Sequence, residues 1–184
     1  MRSVADQVVR VTHDLLDVLA LADRLVVLDG GEVVESGATA HLLAHPRSEF
    51  LARFLGVNVV HGWLRDENLT VDREHTIRGL RSADDDLFAA VDRRGQGREG
   101  WATFSPEAPT IHLPGSSING SSARNNFPAR IDAVESRGPV SRVWCVLAGQ
   151  RLAVDVTAAS ITEMHLEPGQ KILLSIKATA VTLY

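Results

Sequence analysis

The sequence predicts an α+β chain: a small α/β portion followed by an all-β region that closes as a small barrel. Three observations point there. Helical apolar spacing is confined to the first third, β-branched alternating runs recur from residue 57 onward, and clusters of Gly, Ser, Asn and Pro separate them. With 184 residues, 45% hydrophobic and 23% charged, the composition is that of an ordinary folded chain with one large or two small domains.

Residues 1–56 supply the α/β portion. Val8-Val9-Arg10-Val11 is a short β-branched run, Thr12-His13-Asp14 offers a helix N-cap, and Leu15, Leu16, Val18, Leu19 and Leu21 give a helix with a broad apolar face. The strand Leu25-Val26-Val27-Leu28 then meets Asp29-Gly30-Gly31, a turn whose glycines tolerate positive φ, and returns as Glu32-Val33-Val34-Glu35, a hairpin. Residues 38–44 and 48–55 read as two short helices parted by Pro46, the second stopped at Gly56.

Residues 57–117 are rich in strands. Runs at 57–64, 69–71, 87–91 and 101–104 alternate with charged turns, and the charged stretch 92–100 reads as a solvated loop. Residues 116–122, rich in Ser, Asn and Gly, predict a linker or long turn, which places a domain boundary near residue 118. Residues 118–184 then form an all-β domain of the OB type, with strands expected at 129–135, 142–147, 151–156 and 172–183 and a helical turn at 160–166. Sixty-seven residues bury only a marginal core alone, so a second copy is expected to complete it.

Charge and cysteine usage narrow the function classes. The net charge is −4, yet from residue 118 onward seven Lys or Arg face five Asp or Glu, and both lysines of the protein, Lys171 and Lys177, fall there. A mildly basic end suits a small anion and falls far short of a nucleic-acid-binding stripe. The single Cys145, in the run Val143–Leu147, excludes a disulfide framework and reads as a buried packing thiol, which fits a reducing cytoplasm. No apolar run approaches the roughly 20 residues of a membrane-spanning helix, and the N-terminus lacks the apolar core of a signal peptide.

One donor set stands out. A tetrahedral dianion leaves water only if converging N–H and O–H donors and positive charge replace its hydration. Ser122, Arg124, Lys177 and Thr179 are groups of that kind, Thr157 and Ser160 add hydroxyls, and main-chain N–H groups around Ala123 and Ala178 complete a nest. Neutral hydroxyl donors also let size discriminate among oxyanions. Asn125 reads as a turn-forming residue.

Two resemblances organise these residues. Val11-Thr12-His13-Asp14, residues 20–24, Val26–Gly31 and Val34–Gly37 resemble, in order, the end of an ABC-transporter ATPase domain, and residues 46–56 look like that family's exit helix into a regulatory domain. The resemblance implies that His13 descends from the switch-loop histidine that contacts the γ-phosphate of ATP. Residues 121–125, Ala129-Arg130-Ile131, Thr157–Ser160, Leu166–Gly169 and Ile176–Thr179 resemble the molybdate-binding Mop or TOBE domain at the end of molybdate-importer ATPases. Phe104-Ser105-Pro106-Glu107 looks like the R-P-E turn of importer regulatory domains, with Ser105 in place of arginine. The implied organisation is residues 1–56 as an ATPase remnant, 57–117 as a β-rich regulatory segment and 118–184 as the oxyanion-binding domain.

The P-loop, the signature loop and the Walker B strand have no counterpart here, since neither lysine sits in a G-x-x-x-x-G-K-S/T pattern. The chain alone is therefore expected not to hydrolyse ATP, with ATP and Mg²⁺ belonging to a complete ATPase and molybdate or tungstate as this chain's ligand. The resemblance further implies a homodimer in which Ser122, Arg124 and Lys177 face Thr157 and Ser160 of the partner, a permease subunit and ATPase domain in the full assembly, and a cytoplasmic location peripheral to the membrane. The competing reading is a structural or subunit-contact OB-like domain of a sugar- or sulfate-type importer ATPase.

Three other features read as ordinary structure. His41 and His45 share i,i+4 spacing without a third ligand, Asp84-Asp85-Asp86 is a charged loop, and Trp63, Trp101 and Trp144 in strand-like runs are expected to pack in the core.

Overall fold

Turn chemistry accounts for the first elements of the computed structural model, which describes residues 8–83, 97–116 and 120–184 and divides into two compact units, Met1–Ala44 and His45–Tyr184. In the first, helix α1 (Leu15–Leu21) starts where the Asp14 carboxylate accepts the Leu16 N–H at 2.8 Å. Strands β1 (Arg24–Asp29) and β2 (Glu32–Ala38) form the expected hairpin, turning through Gly30 and Gly31 at φ 57° and 87°, and α2 (Thr39–Ala44) follows. The β-branched run Val8–Val11 forms no strand among the described residues, and Val8, Val9 and Val11 are exposed.

The second unit opens with α3 (Glu49–Leu55), capped by the Ser48 hydroxyl on the Leu51 N–H and stopped at Gly56 in the left-handed conformation, as the sequence foretells. Its strands are β3 (Asn58–Arg65), β4 (Asn68–Thr70), β5 (Thr76–Arg78), β6 (Leu80–Arg81), β7 (Arg98–Phe104), β8 (Thr110–His112), β9 (Asn125–Arg137), β10 (Val140–Leu147), β11 (Gln150–Thr157), β12 (Lys171–Ile176) and β13 (Thr182–Leu183), with helix α4 (Ala158–Met164) between β11 and β12. The strand expected at 87–91, Asp84-Asp85-Asp86 and the centre of the 116–122 linker lie outside the described residues.

These strands make two curled sheets, ordered β11-β10-β9-β12-β8 and β5-β4-β3-β7-β13-β6. The orders are the same motif twice. Strands β3, β4, β5 and β7 of a first repeat correspond to β9, β10, β11 and β12 of a second, and each repeat gives its last strand to the other's sheet. Thus β8 pairs with β12, Ile111 opposite Leu174, while β13 pairs with β7, Leu183 opposite Ala102. The run 172–183, read as one strand, is broken for this reason: a 3₁₀ turn at Ala178–Ala180 carries the chain from one sheet to the other.

Exchange gives the two halves a shared core cluster beside a second one built mostly by the second repeat. Leu64, Leu69 and Ile77 of the first repeat pack with Phe127, Leu147, Leu152 and Ile176 of the second, each worth roughly 1.5–3 kcal/mol of apolar burial. The core partner of residues 118–184 is thus segment 58–112 of the same chain. Tight curling needs bare backbone where strands cross: Gly62 lies opposite Gly100, and a Cβ on either would stand 2.5 Å from the Thr70 carbonyl oxygen or the Leu64 Cβ.

Cys145 is buried as expected, and burial pushes its thiol up to about 12. The tryptophans depart from the core reading. Trp63 is 59% exposed, and half-buried Trp101 and Trp144 are covered by guanidinium groups, Arg47 at 4.8 Å and Arg151 at 4.4 Å from the ring centres. His45 lies beyond the end of α2, with its Nε2 2.7 Å from the Ser82 hydroxyl and its ring edge-on to Tyr184, so it shares no helical face with His41.

Candidate functional site

Two asparagines, one at the start of each repeat, place the candidate residues. Asn58 and Asn125 are the first residues of β3 and β9, and each aims its amide across to the other repeat. The Asn58 Nδ2 donates to the Ala153 carbonyl at 2.9 Å and its Oδ1 accepts the Ala153 N–H at 2.7 Å. Asn125 does the same to Arg78, donating to its carbonyl at 2.9 Å and accepting its N–H at 2.7 Å. Both are buried, Asn125 completely, so a donor and an acceptor in one rigid amide meet a buried strand's two polar groups. Asn125 is therefore no turn former. It ties β9 to β5.

That knot fixes the cations. Arg124 directly precedes Asn125, and Asn125 lies opposite Ile176, which directly precedes Lys177. The two side chains thus emerge at one end of adjacent antiparallel strands, both exposed. Ser122 and Ala123 lead into this end, where the Ala123 N–H is taken by the Ser121 hydroxyl at 3.1 Å, and Ala178 and Thr179 lie in the 3₁₀ turn that follows Lys177. Six of the sequence-derived residues, Ser122, Ala123, Arg124, Lys177, Ala178 and Thr179, are gathered here.

Thr157 and Ser160 are not. Thr157 lies opposite Val140, and Val140 opposite Arg137, the far end of β9 from Asn125, a strand path of roughly 40 Å. Their hydroxyls also have local work: Thr157 caps α4 by accepting the Ser160 N–H at 3.1 Å, and the two oxygens are 2.8 Å apart. One chain therefore cannot close all eight residues around one anion.

His13 stands exposed just ahead of the Asp14 cap. Among the described residues no group of three or more His, Cys, Asp or Glu is placed to hold a metal, and no helix is long and apolar enough to cross a membrane.

The other knot borders a shallow cleft lined by Arg53, Val57, Pro106, Arg142, Trp144 and Arg151 among others. Two of its cations are engaged. Arg142 is bidentate to Asp155, both contacts 2.7 Å, and Arg151 pairs with Asp132 at 2.9 Å. The Arg142 hydrogen bond holds the Asp155 carboxyl below the usual aspartate range.

Asn58 and Asn125 are the positions that sequence reasoning missed. A signal existed: Gly56-Val57-Asn58-Val59 and Ala123-Arg124-Asn125-Asn126 both place Asn at a strand start two positions after a small residue, yet the clamp spans 47 residues in one case and 95 in the other, beyond any local pattern.

Comparison with known proteins bears on the same segment. Residues 121–183 match the TOBE domain model. The chain is 34% identical over 180 residues to the Molybdenum import ATP-binding protein ModC of Mycobacterium tuberculosis, covering 96% of this chain and 46% of that protein. It is 30% identical over 179 residues to the Molybdate/tungstate import ATP-binding protein WtpC of Pyrococcus horikoshii, with the same shares. The chain thus spans about half the length of these relatives. The crystal structure of the cytoplasmic molybdate-binding protein ModG superimposes with a TM-score of 0.56 at 21% identity, covering 68% of this chain and 94% of that one, which establishes the shared fold.

Proposed function

Taking residues 121–183 as a TOBE domain in a relative of the molybdenum-import ATP-binding proteins, we propose that this chain is the oxyanion-binding regulatory portion of such a subunit, with molybdate or tungstate as ligand. The observation that carries the reading is the end of the β9–β12 pair, where Arg124 and Lys177 converge with Ser122, Thr179 and the N–H groups of Ala178 and its neighbours. Two cations with hydroxyl and amide donors offset the desolvation of a dianion and accept its oxygens.

Thr157 and Ser160 join the site from a second copy, because their own strand end is remote from Arg124. A homodimer related by a two-fold axis makes two equivalent sites. Residues 1–56 are the end of the ATPase domain, with His13 a switch-loop remnant. The exposure of Leu16, Leu19, Leu21, Val26, Leu28 and Val33, each 54–73%, supports that part of the reading, since an apolar surface of this kind suits a piece packed against further ATPase residues. In the full assembly the subunit meets a permease at the cytoplasmic face of the membrane.

Bound anion regulates only if it binds two arrangements of the paired domains with different affinity. The test of the site itself is calorimetric titration of the purified chain with molybdate, tungstate, sulfate and phosphate. Saturable heat from the first two is expected; none from any of the four refutes the proposal and leaves an OB-like contact domain as the reading.

A further inference from the structure

The geometry points to Arg78, contributed by the first repeat, as a third cation of the anion site, which nothing in the sequence motifs assigns. This rests on the reading of Arg124 and Lys177 as anion-binding residues. The Asn125 amide bonds both polar groups of the Arg78 backbone, at 2.7 and 2.9 Å, so the Arg78 Cα sits one side chain away from the residue that joins Arg124 to the strand opposite Lys177. Alternation along β5 buries Ile77 in the core and turns Arg78 to the exposed face. Three exposed cations are therefore carried by residues bonded to, next to, or diagonally opposite one buried asparagine. Among the described residues none of the three enters an ion pair, whereas Arg137, Arg142 and Arg151 each do.

The duplicated fold provides an internal comparison. At the Asn58 knot the positions of Arg124, Lys177 and Arg78 are held by Val57, Ser105 and Ala153, with the same two clamp distances. Ala153 is buried where Arg78 is exposed, so the comparison bears on Val57 and Ser105: the clamp needs no charge at either of those two positions. A clamp that is uncharged at both strand-end positions in one repeat and cationic at both in the other, with an exposed arginine added on β5, has its charges for something outside the fold. Unpaired like charges held close together cost free energy until an anion neutralises them. A tetrahedral dianion met by a planar guanidinium from each repeat and the Lys177 ammonium has that complementarity, and the guanidinium forks favour an oxyanion over a spherical halide.

The test uses the full chain, Arg78→Ala, Arg78→Lys and Arg124→Ala, titrated calorimetrically with molybdate at two salt concentrations, with thermal midpoints measured alongside. Because the clamp uses only the Arg78 backbone, Arg78→Ala is expected to keep its midpoint while losing roughly tenfold or more in affinity, the effect of removing one charged hydrogen-bonding partner. Its affinity should also depend less steeply on salt. Arg78→Lys keeps the charge without the fork and should bind between the two.

Wild-type affinity in Arg78→Ala, with Arg124→Ala weakened, overturns the assignment of Arg78 while leaving the site intact. Absence of binding by the wild-type chain overturns both. If Arg78→Ala proves less stable, Arg78→Lys decides: binding no better than Arg78→Ala overturns the inference, and recovered affinity supports it.

Discussion

Replacing Asn125 with alanine tests whether the two repeats are held by the reciprocal amide clamps. The substitution removes two hydrogen bonds, 2.7 and 2.9 Å long, from a fully buried site and strips the Arg78 N–H and carbonyl of their partner. Two bonds at roughly 0.5–1.5 kcal/mol each, with the added penalty for unsatisfied groups that water only partly reaches, give a loss of about 2–4 kcal/mol. For a domain of this size that lowers the thermal midpoint by roughly 4–16 °C. Asn58→Ala removes the matching pair of bonds to Ala153 and should cost a similar amount. Asn125→Asp keeps the acceptor for the Arg78 N–H but sets a carboxylate oxygen against the Arg78 carbonyl, so it should be no better than alanine. Urea unfolding followed by tryptophan fluorescence is the assay of choice, because Trp63, Trp101 and Trp144 all lie in the second unit and the signal is blind to the first. A loss below about 1 kcal/mol in either alanine variant would refute the view that the clamps carry the junction.

Two further outcomes follow from the shifted groups. Asp155 has its folded-state pKa lowered chiefly by the Arg142 hydrogen bond, so the pair's contribution is complete above the ordinary aspartate range near 3.9 and disappears as pH falls through the lowered value. Asp155→Asn should lower the urea midpoint at pH 7 and converge with the wild type near pH 2; a gap independent of pH would contradict the pairing. Cys145, with its thiol pushed up to about 12 by burial, should resist a thiol-disulfide reagent at pH 8 in the folded chain and react only along the urea unfolding curve, and rapid stoichiometric labelling of the native protein would show the thiol to be accessible.

What the sequence made legible was local. The Gly30-Gly31 hairpin, the Ser48 cap and Gly56 stop of α3, and the alternation that buries Ile131, Val143 and Cys145 depend on residues a few positions apart, and each formed as expected. The convergence of Arg124 with Lys177 was legible as two motifs but not as a geometry. What stayed hidden was long-range. Strand exchange splits 172–183 into β12 and β13 because the second half pairs with β7, about eighty residues earlier in the chain, and no period within the run announces that. Asn125 resembled a turn former because a turn and a clamp demand the same short amide, and only its distant partner tells them apart. Trp63 sits in an alternating strand but on its outer face, a register that alternation alone leaves open.

The paired knots also separate stability from binding in a way most sites do not allow. In one repeat the clamp stands with Val57, Ser105 and Ala153 around it, and in the other with Arg124, Lys177 and Arg78, at the same hydrogen-bond lengths. The cations are thus additions to a junction that holds without them, so removing any one should weaken anion binding while leaving the unfolding curve in place. The asparagine differs in kind: Asn125 ties down the strand that carries Arg78 and begins the strand that follows Arg124, and its loss should degrade affinity and stability together. Anion binding in turn should raise the unfolding midpoint of the wild type with ligand concentration and do so less in each cation variant, because a ligand bound by the native state alone stabilises it in proportion to the logarithm of its concentration over the dissociation constant. The Asn58 knot, whose neighbouring Arg142 and Arg151 are already paired with Asp155 and Asp132, should contribute little to that shift. Conversion of Val57 to Arg and Ser105 to Lys, with the buried Ala153 left in place, is then the most demanding check: it should create a second anion response beside the Asn58 clamp.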